Sequence, residues 1–178
     1  MIDGWISAAR RIDSPNADDR PDSERISLIV VHSISLPPGK FGSDDIVRLF
    51  TNTLDPHAHP YFLPISKMRV SAHFLVRRSG ELLQFVSCLQ RAWHAGVSAY
   101  KGRDRCNDFS IGIELEGCDD LPFEHAQYEQ LVDLIGELRA AFPIEAVVGH
   151  SQISPVRKTD PGPCFDWHRL EIFDSLLV

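Results

Sequence analysis

The sequence contains no Cys-x-x-Cys pair. Its four cysteines, Cys88, Cys106, Cys118 and Cys164, are scattered, which excludes a cysteine zinc knuckle or a dithiol redox centre and leaves four reduced thiols as the expectation. A long apolar run is also missing. The N-terminus, Met1-Ile-Asp-Gly-Trp-Ile-Ser, has neither the pattern of a secretory signal nor the length of a membrane span, so a cytoplasmic protein is expected. Positive charge is in deficit, with 18 Lys and Arg against 25 Asp and Glu and a net charge of −7. That balance argues against nucleic acid or an anionic membrane as partner, since either needs a basic surface. Repeats and low-complexity tracts are absent, and 178 residues with 43% hydrophobic and 24% charged content suit one domain spanning 1–178.

What the chain does have is a concentrated stretch of chemistry from Gly149 to Trp167. Glu145–Val148 reads as a short buried strand, which puts His150 at a carboxyl end, where open α/β sheets place ligands. Asp160 follows in a loop stiffened by Pro155, Pro161 and Pro163. Ile26–His32 is almost wholly apolar and reads as a central strand buried on both faces, again ending in histidine. His32, His150 and Asp160 would offer zinc two nitrogens and one oxygen, with a fourth position for water, the pattern of a catalytic site. The competing reading is three unrelated core or surface residues.

The other segments supply a frame. Residues 1–25 are polar and turn-rich and read as a surface wrap. Ser43 is a candidate N-cap for a short helix carrying Ile46, Leu49 and Phe50 inward. The breaker-rich stretch 51–68, with Pro56, Pro60 and Pro64, reads as a long loop that is a wall or possible lid of a cleft, and His57 and His59 in it as solvent or groove residues. Val70–Arg77 and Glu81–Val86 read as a hairpin turning at Ser79-Gly80, with His73 buried and hydrogen-bonded. Trp93 reads as a packing residue. Phe109–Glu116 alternates, so Phe109, Ile111, Ile113 and Leu115 share one face. Ser110, Gly112, Glu114 and Glu116 share the other, with room for a ligand above the small residues. Phe123–Phe142 has helical spacing through Tyr128, Leu131, Ile135 and Leu138, and Pro143 ends it. Together these give an α/β domain with a mixed sheet covered by helices.

Five ordered blocks then carry a resemblance over nearly the whole chain. They are Val31-His-Ser-Ile-Ser-Leu-Pro-Pro-Gly, Arg69-Val-Ser-Ala-His, Arg91-Ala-Trp-His-Ala-Gly-Val-Ser, Arg105-Cys-Asn-Asp-Phe-Ser-Ile-Gly-Ile-Glu-Leu-Glu-Gly and Arg157-Lys-Thr-Asp-Pro-Gly-Pro. The sequence resembles the zinc N-acetylmuramoyl-L-alanine amidases, whose fold is shared by phage lysozyme-type amidases and peptidoglycan recognition proteins. Within that family it is similar to the cytoplasmic anhydro-muropeptide amidases of Gram-negative bacteria. The resemblance implies a zinc cofactor on His32, His150 and Asp160, with Cys164 as a weaker competitor for Asp160. The implied substrate is a small anhydro-muropeptide cut between the lactyl group and L-alanine, which would also limit β-lactamase induction. A monomer is expected.

The resemblance further implies Glu114 as general base, a choice the residues alone leave open against Glu116. It implies Lys158 as the cation facing the developing oxyanion, Arg69 and Arg105 as holders of the peptide's carboxylates, and His94, Ala95 and Ser33 as substrate contacts. Ser33 itself is a departure, since the subgroup carries asparagine there, and Ser151-Gln152 is another. A non-catalytic peptidoglycan-binding module and an amidase of broad specificity on intact wall are the alternatives.

Overall fold

The structure is a computed structural model and describes residues 1–177. Its N-terminal arm is woven into the sheets. Arg10–Arg11 (β1) and Ala17–Asp19 (β2) are short strands, followed by Leu28–Ile34 (β3) and the helices Asp45–Phe50 (α1) and Phe62–Ile65 (α2). Then come Phe74–Val76 (β4), Leu82–Gln84 (β5), Gln90–Ala92 (β6), Ala99–Tyr100 (β7) and Arg103–Asp104 (β8). A 3₁₀ turn at Cys106–Asp108 leads into Ser110–Glu116 (β9). His125–Ala141 (α3), Ala146–Gly149 (β10), His150–Ile153 (α4) and a 3₁₀ segment at Trp167–Leu176 complete the chain. No helix among the described residues is long and apolar enough to cross a membrane.

Six strands form one mixed sheet in the order β1-β5-β4-β9-β3-β10, in which only the β4–β5 pair is antiparallel. The remaining strands make two small ladders, β2 with β6 and β7 with β8. Strand β3 lies between β9 and β10, as its unbroken apolar run requires. Alternation then sorts its side chains. Ile29 and Val31 join Ile111, Ile113 and Leu115 under Leu131, Ile135 and Leu138 of α3 and Leu170 and Phe173 of the C-terminal segment. The opposite face of the sheet carries His32 and Glu114, which are register partners at neighbouring carboxyl ends.

Several details differ from the sequence reading. Arg20 anchors the supposed surface wrap by donating inward to the carbonyls of Cys88, Asn107, Asp108 and Ser110. Phe109 does not share a face with Ile111. Its φ and ψ of −127° and 11° close the preceding 3₁₀ turn, so the ring packs with Leu28 and Val30 and the strand period starts at Ser110. The hairpin exists but holds only three residues per strand, and Ser71 instead donates to the Asn16 carbonyl and accepts from Trp93 N–H. Ser43 does serve α1, one residue further out than a formal cap, through Asp45 N–H donating to its hydroxyl. Stretch 51–68 is fastened to the core by Leu54 and Phe62, which are 5% and 2% exposed.

Candidate metal centre

His32 ends the apolar part of β3, and His150 opens α4 directly after β10, whose Gly149 pairs with Val31. Gly149 is required by close approach, because a Cβ there would lie 2.8 Å from Pro161 Cδ. Asp160 is fixed by its carbonyl, which accepts from Ser151 N–H at 2.9 Å. The result is a triangle. His32 Nδ1 and His150 Nδ1 are 2.9 Å apart, and each lies 3.0 Å from Asp160 Oδ2.

The protons around this triangle decide what it fits. His150 Nε2 lies 3.1 Å from the Ala95 carbonyl, an acceptor that cannot donate, so Nε2 carries a proton and Nδ1 is the nitrogen turned to the triangle. Burial pushes His32 down to about 4, and burial also holds His94 well below the ordinary imidazole range, so both rings are neutral. Two imidazole nitrogens and a carboxylate oxygen within 3.0 Å of one another form a donor set that a single cation can share. The donor set of two imidazoles and a carboxylate suits zinc, and among the described residues it is the one His/Cys/Asp/Glu group of this kind.

The triangle opens onto a cleft of about 660 Å³, lined among others by Ser33, Tyr61, Ile65, Met68, Trp93, His94, Glu114, Arg157 and Lys158. Glu114 Oε2 is sealed from solvent with no hydrogen-bond partner among the described residues. Burial and then the Asp160 carboxylate push its carboxyl well above the ordinary range, against the pull of Lys158. Glu116 is excluded from this role by its partners. It is 2% exposed and accepts from the backbone N–H groups of Gly42 and Arg78 beside Arg77.

The remaining candidates scatter. Ala95 is fully buried and does not line the cleft, so its contribution is the carbonyl that orients His150. His94 does line it, but its ring nitrogens point to His32 and Ser110. Trp93, read as a packing residue, is a cleft wall whose Nε1 donates to Asp18 at 3.1 Å. Arg69 lies exposed between the lining residues Met68 and Val70, and Arg105 is exposed and paired with Asp108 at 3.2 Å. Cys164 is not among the residues lining the cleft. His57 and His59 are exposed, and His73 is buried, accepting from Gly112 N–H. The sequence reading missed Arg157, which lines the cleft and donates to the Val97 carbonyl at 2.7 Å, and Asn107, whose Oδ1 holds the N–H groups of His94 and Ala95. Only the basic Arg157-Lys158 pair hinted at the first, and nothing local marked the second.

A cation triangle at the carboxyl ends of neighbouring strands, beside a sealed carboxyl and open to a cleft, defines a metallohydrolase-type α/β protein. The comparisons make the class specific. Residues 22–163 match the N-acetylmuramoyl-L-alanine amidase family, and the chain belongs to that family. It is 59% identical to the 1,6-anhydro-N-acetylmuramyl-L-alanine amidase AmpD of Citrobacter freundii over 95% of this chain and 91% of that one. A crystal structure of a selenomethionine AmpD derivative superposes with a TM-score of 0.94 at 56% identity, covering 100% of this chain and 99% of that one. The Escherichia coli amidase AmiD, solved with anhydro-N-acetylmuramic acid-L-Ala-D-γ-Glu-L-Lys, aligns at 31% identity and a TM-score of 0.62, over 94% of this chain and 60% of that one.

Proposed function

We propose that the chain is a zinc amidase that hydrolyses the amide between the lactyl group of 1,6-anhydro-N-acetylmuramic acid and L-alanine in soluble muropeptides. The observation that carries this reading is the convergence of two imidazole nitrogens and Asp160 beside Glu114, whose Oε2 has no hydrogen-bond partner among the described residues. The relatives named above supply the substrate. Zinc held by His32, His150 and Asp160 would polarise the scissile carbonyl and make a water nucleophilic near pH about 7.

Glu114 takes the proton of that water and passes it to the leaving alanine nitrogen, as a general base and then acid on a rigid strand. Its environment keeps it free for the task, since no other group among the described residues occupies Oε2. Lys158 opposes the negative charge that grows on the carbonyl oxygen, and its field already reaches Glu114 and His32 across the cleft. Arg69, exposed between the cleft residues Met68 and Val70, and the exposed Arg105 hold carboxylates of the stem peptide through their planar forks. Trp93 and Ser33 flank the sugar from the cleft wall. The cleft is lined by residues of one chain, which supports a monomer.

The test is mass spectrometry of anhydro-muramyl tripeptide and of polymeric peptidoglycan, each incubated with purified protein. Free tripeptide from the soluble substrate, with little from the polymer, is expected. Equal release from both overturns the substrate assignment, and tight binding without release overturns catalysis.

A further inference from the structure

The outer nitrogen of His150 reaches a carbonyl directly, but that of His32 does not. His32 Nε2 meets His94 Nδ1 at 2.9 Å, and His94 Nε2 meets Ser110 Oγ at 3.2 Å. Ser110 Oγ in turn lies 2.5 Å from the Cys106 carbonyl. A carbonyl oxygen only accepts, and two oxygens at that distance need a proton between them, so the single Ser110 proton is committed to Cys106. Ser110 must then accept from His94, whose proton sits on Nε2. That leaves His94 Nδ1 as an acceptor, and His32 donates to it from Nε2.

The direction of every bond in the chain is therefore set at its far end, against the Asp160 carboxylate 3.0 Å from His32 Nδ1, which alone would draw the proton inward. We propose that His94 and Ser110 are positioning residues that fix the tautomer of His32, so that its Nδ1 lone pair faces the cation site. Neither touches the cation or the reacting atoms. Reversal of the chain would place a proton on His32 Nδ1, where the cation belongs.

The surroundings hold this relay in place. A Cβ on Gly112 would lie 2.4 Å from His94 Cγ, so the room above this glycine belongs to the His94 ring. The carbonyls of Asn107, Asp108 and Ser110 are held by Arg20, and the His94 and Ala95 N–H groups by Asn107 Oδ1, which rigidifies both ends of the relay. Both ligand imidazoles thus end on carbonyls, one directly and one through two side chains. Such outer partners commonly change metal affinity by about 10–100-fold when removed.

The inference rests on the reading of His32 as a metal ligand, so the test has one arm that needs no metal. Long-range nitrogen–proton NMR of the metal-free protein reads which His32 nitrogen carries the proton, and competition with a chromophoric chelator reads zinc affinity. The wild-type ring is expected protonated at Nε2. Ser110→Ala, which removes one oxygen and leaves the backbone untouched, is expected to populate the Nδ1–H form and to weaken zinc by about 10–100-fold. His94→Leu should do the same. His94→Asn, whose Oδ1 can accept where Nδ1 did, should restore both readouts more than Leu does. An Nε2-protonated His32 with unchanged zinc affinity in Ser110→Ala and His94→Leu overturns the relay, and so does an Asn variant no better than Leu. A wild-type protein with the expected tautomer that fails to bind zinc overturns the metal reading instead.

Discussion

Two acidic residues on one strand show how environment separates roles that sequence leaves equivalent. Glu114 and Glu116 occupy the same face by the two-residue period. Glu116 is consumed by Gly42, Arg78 and Arg77, whereas Glu114 lines the cleft and its Oε2 has no partner among the described residues. A sealed carboxyl is a stability liability, and its sign follows from linkage. Because the folded chain holds the Glu114 proton more tightly than the unfolded chain, stability of the metal-free protein falls as pH rises above the ordinary carboxyl range. Glu114→Gln should remove that fall while abolishing hydrolysis. Chemical denaturation of the metal-free proteins between about pH 5 and pH 8, a window chosen above the ordinary carboxyl pKa, would show it, and parallel curves for the two would contradict the assignment. At Lys158, substitution by alanine should lower kcat by about 10²–10³, the usual loss for an oxyanion partner, with zinc content unchanged. Normal kcat with zinc present would remove Lys158 from the mechanism.

Elements with strong periodicity were legible and those held by remote partners were not. Strand β3 and helix α3 lie where their apolar patterns put them, because a continuous run wants both faces covered and a 3.6-residue stripe wants one. Strand β10 and the turn into His150 follow from Gly149 and the prolines after it. By contrast, nothing near Arg20 announces that its guanidinium will serve four carbonyls from Cys88 to Ser110. Phe109 fell out of alternation for a similar reason, since the 3₁₀ turn before it is fixed by tertiary contacts. The stretch 51–68 is the clearest case. Read as a long loop that is a wall or lid of the cleft, it carries α2 with Phe62 inserted into the cluster of Leu49, Phe50 and Phe85. Tyr61, Ile65 and Met68 then form one wall of the cleft. Phe62→Ala is expected to destabilise the fold by about 3–5 kcal/mol. Cleavage by a protease should concentrate in 51–68 in that variant, and a cleavage pattern like that of the wild type would show that the wall is held by other contacts.

At the scale of the whole molecule, the parallel strands β9, β3 and β10 end together and gather residues separated by more than a hundred positions into one triangle. The three donors were legible as candidates because each sits at a strand end or in a proline-stiffened loop. Their mutual distances and the outer partners of the two rings were not, since those depend on Ala95, His94 and Ser110 from other elements. In the proposed reading the triangle is seated at the strand ends of one sheet whose core does not depend on it, so loss of the cation should silence the chemistry and leave the fold. The most direct measurement is metal-stripped protein incubated with anhydro-muramyl tripeptide, with zinc added back in steps and the free peptide followed by mass spectrometry. Release is expected to be absent in the stripped sample and to return in full at one zinc per chain. Undiminished release without metal, or none at full zinc loading, would contradict the account.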